Sequence, residues 1–265
     1  MITNLILNQD AMTGLGALPP ASVPLTVTSP PYDHAREFGG HGFDWRAAAD
    51  ELWRVTTPGG VVCWQFQDQI VQGEGTESCT SAEQQLYFVR EIGFRLYQTL
   101  TILAWNFRNF PRRYFRWTSR VFVFSKGRPQ TVNLLRDRRN KHAGGVAHPK
   151  FRFPNGAMAT RKEYRIAEWG YRGDVWAYGV GGANAAREKY AHRHPALMPE
   201  RLAEDLILSF SDPGDLVLDI CAGAGTTCKM ALLSGRRYLG FEPWDFAHGL
   251  AQRRMADAYR KLVEE

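Results

Sequence analysis

The residues best suited to chemistry form the tetrapeptide Ser29-Pro30-Pro31-Tyr32, which follows the apolar run 23–28. Two adjacent prolines cannot donate hydrogen bonds to a β-ladder, and each fixes its own φ angle. The helical region is also disfavoured for the residue before each proline. The pattern therefore predicts a stiff, extended turn at the end of a strand. Such a turn presents a serine hydroxyl, carbonyl oxygens without competing amides, and a tyrosine ring.

A second group of candidate residues lies near the other end, in GDLVLDICAGAGTTCKMALLSGRRYLGFEP. A strand ending near Asp219 leads into a glycine turn at residues 223–225, and a second strand ends in Glu242. This layout brings backbone close to a ligand at a helix N-terminus and supplies an acid for ribose hydroxyls. A plain strand–helix connection explains a lone glycine turn equally well. The Walker lysine and the third dinucleotide glycine are missing, which favours a nucleoside without a pyrophosphate over NAD or ATP.

The elements that must position these groups alternate along the chain. Apolar patterning predicts strands over residues 2–7, 23–28, 61–66, 94–105, 120–124, 216–220 and 238–241. It predicts helices over residues 44–55, 81–92 (with Ser81 as the N-cap), 199–210, 225–233 and 245–263, and a loop over 67–80. The fold class that follows is α/β, with a doubly wound, mostly parallel sheet.

Periodicity fades between residues 127 and 190, where glycines, arginines and isolated aromatic residues dominate. The aromatic residues predict a small, loop-rich but ordered insertion. Residues 127–192 contain 13 Lys/Arg and 5 Asp/Glu, although the whole chain has a net charge of only +6. The positive excess is therefore confined to this segment, as in a surface that binds a polyanion. A solvated basic face is the alternative reading of the same charge.

Composition narrows the class of protein further. A chain of 265 residues with 44% hydrophobic residues can bury the core of one large α/β domain with a small insertion. It has no run of ~18 apolar residues and no signal-peptide pattern in MITNLILNQD, so we expect neither a membrane span nor secretion. The four cysteines and the histidines show no metal or disulfide spacing, which predicts reduced thiols and no metal.

Taken together and in this order, the two groups resemble the DNA amino-methyltransferases of the β arrangement, in which the PPY motif precedes the cofactor motif. The resemblance covers nearly the whole chain, through LILNQDAMTGL, TSPPY, TTPGGVVCW, SRVFVFSKG, HRHPALMPERL, LDICAGAGTT and GFEP. RNA- and protein-modifying methyltransferases also carry PPY, but their glycine motif lies N-terminal to it. The chain departs from the family pattern at Ile220-Cys221 (usually Pro-Phe), at Ala224 (commonly Ser) and at Arg120 (often acidic).

The resemblance implies S-adenosyl-L-methionine (AdoMet) as the cofactor, bound by both ends of the chain. Asp10 is expected near the adenine, and His194, Pro195 and Pro199 near the methionine end. The other cofactor-binding residues that it implies are Thr28, Asp219, Cys221, Ala222, Gly223, Gly225, Thr226, Thr227, Glu242 and Pro243. It makes residues 1–126 the catalytic half, 127–190 a target-recognition insertion and 191–265 the AdoMet-binding half.

It also implies catalysis by Ser29, Pro30, Pro31 and Tyr32 on a base flipped out of a DNA duplex. Tyr32 would stack on the base, while the Ser29 hydroxyl and the Pro30 carbonyl accept hydrogen bonds from its amino group. C5-cytosine methylation needs a thiolate, which relatives supply in a Pro-Cys dipeptide that this chain lacks. In the family, Ser before PPY favours N4 of cytosine as the acceptor, and N6 of adenine is the alternative.

Double-stranded DNA is the implied partner of the basic residues. The residues expected to contact it are Arg108, Arg112, Arg113, Arg136, Arg138, Arg139, Lys141, Lys150 and Arg152. For the stretch LAWNFRNFPRRYFRWTSR, a sheet edge with arginines extended to solvent is the alternative. The resemblance further implies a cytoplasmic, DNA-associated protein of a prokaryote or phage. It leaves open a homodimer and a cognate restriction endonuclease.

Two functions from other classes are compatible with the sequence. One is a DNA-binding protein with a decayed methyltransferase fold. Loss of AdoMet binding in calorimetry would favour it. The other is a methyltransferase for RNA or for small molecules. The basic, aromatic insertion argues against small molecules, and the order of the motifs argues against most RNA enzymes.

Overall fold

The computed structural model describes residues 2–32, 38–71, 73–104, 112–179 and 184–264. In these ranges the strands are β1 (Leu5–Leu7), β2 (Val23–Thr28), β3 (Thr56–Phe66), β4 (Arg95–Ala104), β5 (Thr118–Ser125), β6 (Arg138–Arg139), β7 (Val146–Ala147), β8 (Lys150–Arg152), β9 (Met158–Thr160), β10 (Tyr164–Arg165), β11 (Trp169–Gly170), β12 (Val175–Tyr178), β13 (Leu216–Asp219) and β14 (Arg237–Phe241). The helices are α1 (Ala11–Gly16), α2 (Trp45–Val55), α3 (Thr80–Leu86), α4 (Glu200–Phe210), α5 (Thr226–Leu233) and α6 (Asp245–Glu264), with a π-helix at Tyr87–Ile92 and a 3-10 helix at Lys189–Arg193.

The central sheet belongs to a compact unit made of Met1–Asn133 and Asp174–Glu265. Its eight strands lie in the order β1-β14-β13-β2-β3-β5-β4-β12. Five of the seven strand pairings are parallel, and only those that β5 makes with β3 and β4 are antiparallel. The predicted fold class, an α/β protein with a mostly parallel sheet, is therefore confirmed. The parallel neighbours β3, β2, β13 and β14 end at the same edge of the sheet.

The core holds those strand ends rigidly. Consecutive residues of β2, β3 and β5 are buried, which is typical of a sheet covered on both faces. Buried residues of α1, α2 and the π-helix, among them Phe88, form a hydrophobic cluster with Trp64 of β3 and Phe124 of β5. The rings of Phe88 and Phe124 stack with centroids 4.5 Å apart, and the Trp64 indole N–H donates to Gln84 over 2.9 Å. A strand packed in this way gives the residues at its end little freedom.

Most predicted elements are present, with three corrections. The strand predicted over residues 61–66 is longer: β3 begins at Thr56, which pairs with Val23 of β2. Ser81 is not an N-cap: α3 begins one residue earlier, and the Ser81 amide and hydroxyl both donate to Asp68. The helix predicted to run through residue 92 becomes a π-helix from Tyr87 onward. In the larger unit, α1, β12 and the 3-10 helix have no counterpart among the predicted elements.

Residues Leu134–Gly173 form a second compact unit, which is shorter than the 127–190 segment predicted as an insertion. It contains three short antiparallel pairs, β6–β11, β7–β10 and β8–β9. Arg172 forms an ion pair with Asp137, and the Arg136 guanidinium lies over the Tyr171 ring. Side-chain pairs of this kind order a segment that has little core of its own. No helix in the described part of the chain is long and apolar enough to cross a membrane.

Candidate active site

A cleft of about 1900 Å³ opens at the edge where the parallel strands end. Its walls include the Ser29–Tyr32 turn after β2, the residues that follow β13, and Glu242 after β14. Ligands of open α/β sheets bind in this position, outside the carboxyl ends of the strands. The fold thus brings to one cleft the two groups of candidate residues, which lie near opposite ends of the sequence.

The tetrapeptide after β2 forms a rigid wall of that cleft. Pro30 is buried, while Ser29, Pro31 and Tyr32 are partly buried. The Ser29 and Tyr32 hydroxyl oxygens lie 2.8 Å apart, and the Tyr32 ring meets Phe66 edge-on with centroids 5.1 Å apart. These contacts orient both polar groups before any ligand arrives. We refer to Ser29, Pro30 and Tyr32 as the shelf.

Asp219 connects the shelf with the glycine turn. Its Oδ1 accepts hydrogen bonds from the Thr28 hydroxyl over 2.8 Å and from the Cys221 amide over 3.1 Å. Burial raises the pKa of Asp219 to about 6, although these hydrogen bonds oppose the rise. The aspartate therefore ties the end of β13 to the end of β2. Thr28 lies behind the cleft wall, fully buried.

The glycine turn has a conformation that other residues rarely adopt. Gly223 and Gly225 have φ angles of +52° and +76°. A Cβ on Gly223 would lie 3.1 Å from the His194 ring, and one on Gly225 would lie 2.9 Å from Ala251. Gly223 therefore exposes backbone to the cleft, whereas Gly225 lets α5 pack closely on α6. Of the predicted cofactor residues, only Thr28 and Gly225 do not line the cleft.

Two acidic residues line the cleft, one from near each end of the chain. Glu242 is buried and accepts hydrogen bonds from the amides of Gly223, over 2.7 Å, and Trp244, over 2.9 Å. Burial raises the pKa of Glu242, and these two amides oppose the rise. Asp10 is the N-cap of α1, and the hydrogen bonds from Thr13 lower its pKa. Both carboxylates are held in fixed orientations by backbone donors.

His194 lies in an aromatic cluster beside the glycine turn, and its ring and that of Phe38 line the cleft. The buried ring lies 6.2 Å from Phe38 and 6.0 Å from Trp244, measured between centroids, and its Nδ1 is 2.9 Å from the Ala196 carbonyl oxygen. The sequence predicted His194 here, together with the neighbouring Pro195 and Pro199, which also line the cleft. It did not predict Phe38 and Trp244.

A buried network of four charges supports the glycine turn from behind. Lys229 and Arg254 both bind the carboxylates of Glu188 and Glu200, at distances of 2.5–3.3 Å. Burial by itself would raise the pKa of Glu188, but these two cations lower it to about 2. Arg254 also donates to the Ala224 carbonyl over 2.7 Å. The one signal of this network in the sequence was a lysine within the apolar helix TTCKMALL.

The residues predicted to contact DNA lie in both units. In the larger unit Arg113 lines the cleft and pairs with Glu77, and Arg112 is exposed; Arg108 lies outside the described residues. In the second unit Arg136, Arg138, Arg139, Lys141, Lys150 and Arg152 are all exposed. Within the described ranges, no group of three or more His, Cys, Asp or Glu residues could hold a metal ion.

Comparison with known proteins adds four findings. A family model described as DNA methylase matches residues 23–252. The orphan methyltransferase M.BamHII of Bacillus amyloliquefaciens is 43% identical over 226 residues, which cover 83% of this chain and 84% of that protein. The PvuII DNA methyltransferase (cytosine-N4-specific) has a similar fold, with a TM-score of 0.69 and 17% identity over 100% of this chain and 94% of that one. So does a DNA modification methylase of Thermus thermophilus complexed with AdoMet, with a TM-score of 0.60 and 24% identity over 94% and 93%.

Proposed function

The chain is a DNA methyltransferase that belongs to the N6/N4 DNA methylase family, and we propose that it methylates N4 of cytosine with AdoMet as the donor. One observation carries the proposal: the shelf and the glycine turn line the same cleft and are joined by the Thr28–Asp219 hydrogen bond. A base-holding surface and a nucleoside-holding surface in one cavity suit group transfer between two nucleosides.

The cofactor side of the cleft fits AdoMet. Glu242 uses one site on each carboxylate oxygen for a backbone amide, so both oxygens keep acceptor capacity for the hydroxyls of a ribose. Gly223 lets a ligand approach the backbone, and the rings of His194 and Phe38 line the cleft beside it. We assign Asp10 to the adenine end. When bound, AdoMet supplies a methyl group on a positively charged sulfur.

The shelf acts on the amino group of a flipped base. In the proposed reaction the Ser29 hydroxyl oxygen and the Pro30 carbonyl accept its two N–H hydrogens, so that the nitrogen lone pair points toward the donor. The Tyr32 ring stacks on the base, which compensates for the stacking lost from the duplex. Positive charge develops on the nitrogen during transfer, and the two fixed acceptors stabilise it. The proton then leaves to water or to a carbonyl oxygen.

The thiols of the chain do not suit the alternative chemistry at C5 of cytosine, which needs a thiolate nucleophile. Cys221 is the only cysteine among the described residues that line the cleft. Burial raises its pKa well above the usual value, and the nearby carboxylates of Asp219 and Glu242 add to the rise. A thiol in that setting stays protonated at neutral pH.

The choice between the two amino acceptors rests on fewer observations. Serine before PPY and the fold shared with a cytosine-N4-specific enzyme favour cytosine. Adenine N6 is the second candidate, because the family includes both activities. In this proposal the three segments keep the roles expected from the sequence, with 127–190 as the target-recognition region and its exposed basic residues on the DNA phosphates.

Nucleoside mass spectrometry tests the proposal. Unmodified duplex DNA is incubated with the protein and AdoMet, digested to nucleosides and compared with a reaction lacking AdoMet. We expect N4-methylcytosine. N6-methyladenine would move the acceptor to adenine, and the absence of any methylated nucleoside, together with the absence of AdoMet binding in calorimetry, would favour a non-catalytic DNA-binding protein.

A further inference from the structure

Three glutamines line the cleft at and after the end of β3. Gln65, Gln67 and Gln69 alternate along the chain, and each contributes to the cleft wall. Gln67 donates to the Thr118 carbonyl over 2.7 Å and lies 3.5 Å from Arg116, and Gln69 donates to the Gln67 carbonyl over 3.4 Å. Gln65 differs from the other two in its hydrogen bonding.

Gln65 is 8% exposed, and its Nε2 makes one long contact of 3.4 Å to the Ser119 hydroxyl. Its Oε1 is fully buried and accepts no hydrogen bond from any residue that the structure describes. A buried carbonyl oxygen without a donor costs free energy, and such atoms are rare in native proteins. An orphaned acceptor beside a binding cleft therefore suggests that a ligand supplies the donor.

The strand register places Gln65 beside the shelf. Strands β2 and β3 are parallel neighbours, and Thr28 pairs with Trp64. The next residues along the chain are Ser29, which directly follows β2, and Gln65 of β3, and both line the cleft. A base held by Ser29 and Tyr32 would therefore meet the Gln65 carboxamide at the same level of the sheet.

We propose that the Gln65 carboxamide rotates so that its Oε1, which is buried without a donor, accepts a hydrogen bond from the exocyclic amino group of the flipped base, next to Ser29 and Pro30. Gln65 then determines specificity: an amino group satisfies the oxygen, whereas a carbonyl oxygen at that position, as in thymine, would repel it. An amino group has two N–H hydrogens, and one of them can be shared by two acceptors in a three-centre bond. The amino group can therefore bind Gln65 while Ser29 and Pro30 still accept from it. This inference rests on the proposed function and extends it from transfer to base selection.

The chain supplies a matched control for an orphaned polar atom. Thr26 Oγ1 on β2 is also buried and without a partner among the described residues, but Thr26 does not line the cleft. Thr26→Val and Gln65→Met each replace an unsatisfied group with an apolar one of similar size. Both variants should melt at or above the temperature of the wild type. Only Gln65→Met should affect the reaction.

The test compares methyl transfer and DNA binding in these variants. We expect Gln65→Met to lower kcat/KM for DNA at least tenfold with unchanged AdoMet affinity, while Thr26→Val stays within twofold of the wild type. A second assay uses duplexes whose target base lacks only its exocyclic amino group. Wild type should bind these duplexes more weakly than normal DNA. In Gln65→Met the ratio of the two dissociation constants should be at least threefold smaller than in wild type.

Equal kcat/KM and equal discrimination in Gln65→Met and wild type would overturn the inference while leaving the proposed function intact. If wild type transfers no methyl group, the proposed function itself fails, and the variants are not needed to show it. If Gln65→Met does not fold, Gln65→Asn provides the same comparison, because it keeps a carboxamide but withdraws it from the cleft by one methylene.

Discussion

The Thr28 hydroxyl donates to Asp219 Oδ1 over 2.8 Å, in a hydrogen bond between residues 191 positions apart in the sequence. Both residues are buried, and the strands that carry them are parallel neighbours. Thr28 immediately precedes the shelf, and Asp219 lies four residues before Gly223 of the glycine turn. Together with the pairing of β2 and β13, this bond holds the proposed base site and the proposed cofactor site at a fixed distance, on which the rate of transfer depends steeply.

The ionisation of Asp219 should make folding stability depend on pH. Its pKa is raised to about 6 in the folded chain, so the native state binds the proton more tightly than the unfolded state does. Ionisation then costs stability as the pH rises from about 4 to about 6. Asp219→Asn keeps an acceptor for Thr28 and cannot ionise. In urea denaturation we expect it to gain up to roughly 3 kcal/mol relative to wild type across that window. A difference that stays constant between pH 4 and 7 would contradict this assignment.

Glu242 should contribute to the cofactor site rather than to stability. A carboxylate that accepts hydrogen bonds from ribose hydroxyls contributes ~1.5–3 kcal/mol to the free energy of binding, which its removal would cost. We expect Glu242→Ala to weaken AdoMet binding at least tenfold in calorimetry and to leave the cooperative unfolding transition in place. Glu91→Ala removes an exposed acid and serves as the control. Unchanged AdoMet affinity in Glu242→Ala would remove Glu242 from the site.

Tyr32 offers both a ring and a hydroxyl, and two variants separate them. Tyr32→Ala removes a stacking face worth ~1–3 kcal/mol per base, so binding of DNA with a mismatched target base should weaken accordingly. Tyr32→Phe keeps the ring and its edge-on contact with Phe66 but loses the hydroxyl that lies 2.8 Å from Ser29. We expect Tyr32→Phe to bind such DNA like wild type in fluorescence anisotropy. Equal loss in both variants would mean that the hydroxyl, not the ring, is required.

Arg254 should be essential for stability because it is fully buried between two carboxylates. Arg254→Met leaves Lys229 as the one cation of the network for Glu188 and Glu200, and breaking a buried ion pair in this way costs ~3–5 kcal/mol. The control is Arg260→Met on the exposed side of the same helix, which should change stability by no more than ~1 kcal/mol. Similar unfolding free energies for the two variants would show that the network is not important for folding.

The parts of the site that sequence predicts well are those with strong local constraints. The two prolines after Val23–Thr28 and the glycines after Asp219 restrict the backbone wherever they occur, so their turns could be located without knowledge of the fold. The alternation of strands and helices then fixed the fold class. The order of the two motifs predicted that both turns belong to the site of one enzyme family. The sheet topology explains why they lie close together, because β2 and β13 are neighbouring strands.

The parts that sequence missed depend on contacts between distant segments. The four charges of the buried network come from Glu188, Glu200, α5 and α6, and no local pattern pairs them. Helix α1 contains two glycines within six residues, and its start depends on Asp10 as N-cap. Gln65 looked like an ordinary strand residue in VVCWQF, and only its burial without a donor distinguishes it.

The central claim is that the shelf acts on the base while the glycine turn holds the donor, and Ser29→Ala tests it most directly. The measurement is the single-turnover rate of methyl transfer at saturating AdoMet and DNA, together with the dissociation constant of AdoMet. Loss of one acceptor for the amino group should slow transfer on the order of a hundredfold with AdoMet binding unchanged. A rate equal to that of wild type would contradict the account and make Ser29 part of a merely rigid turn.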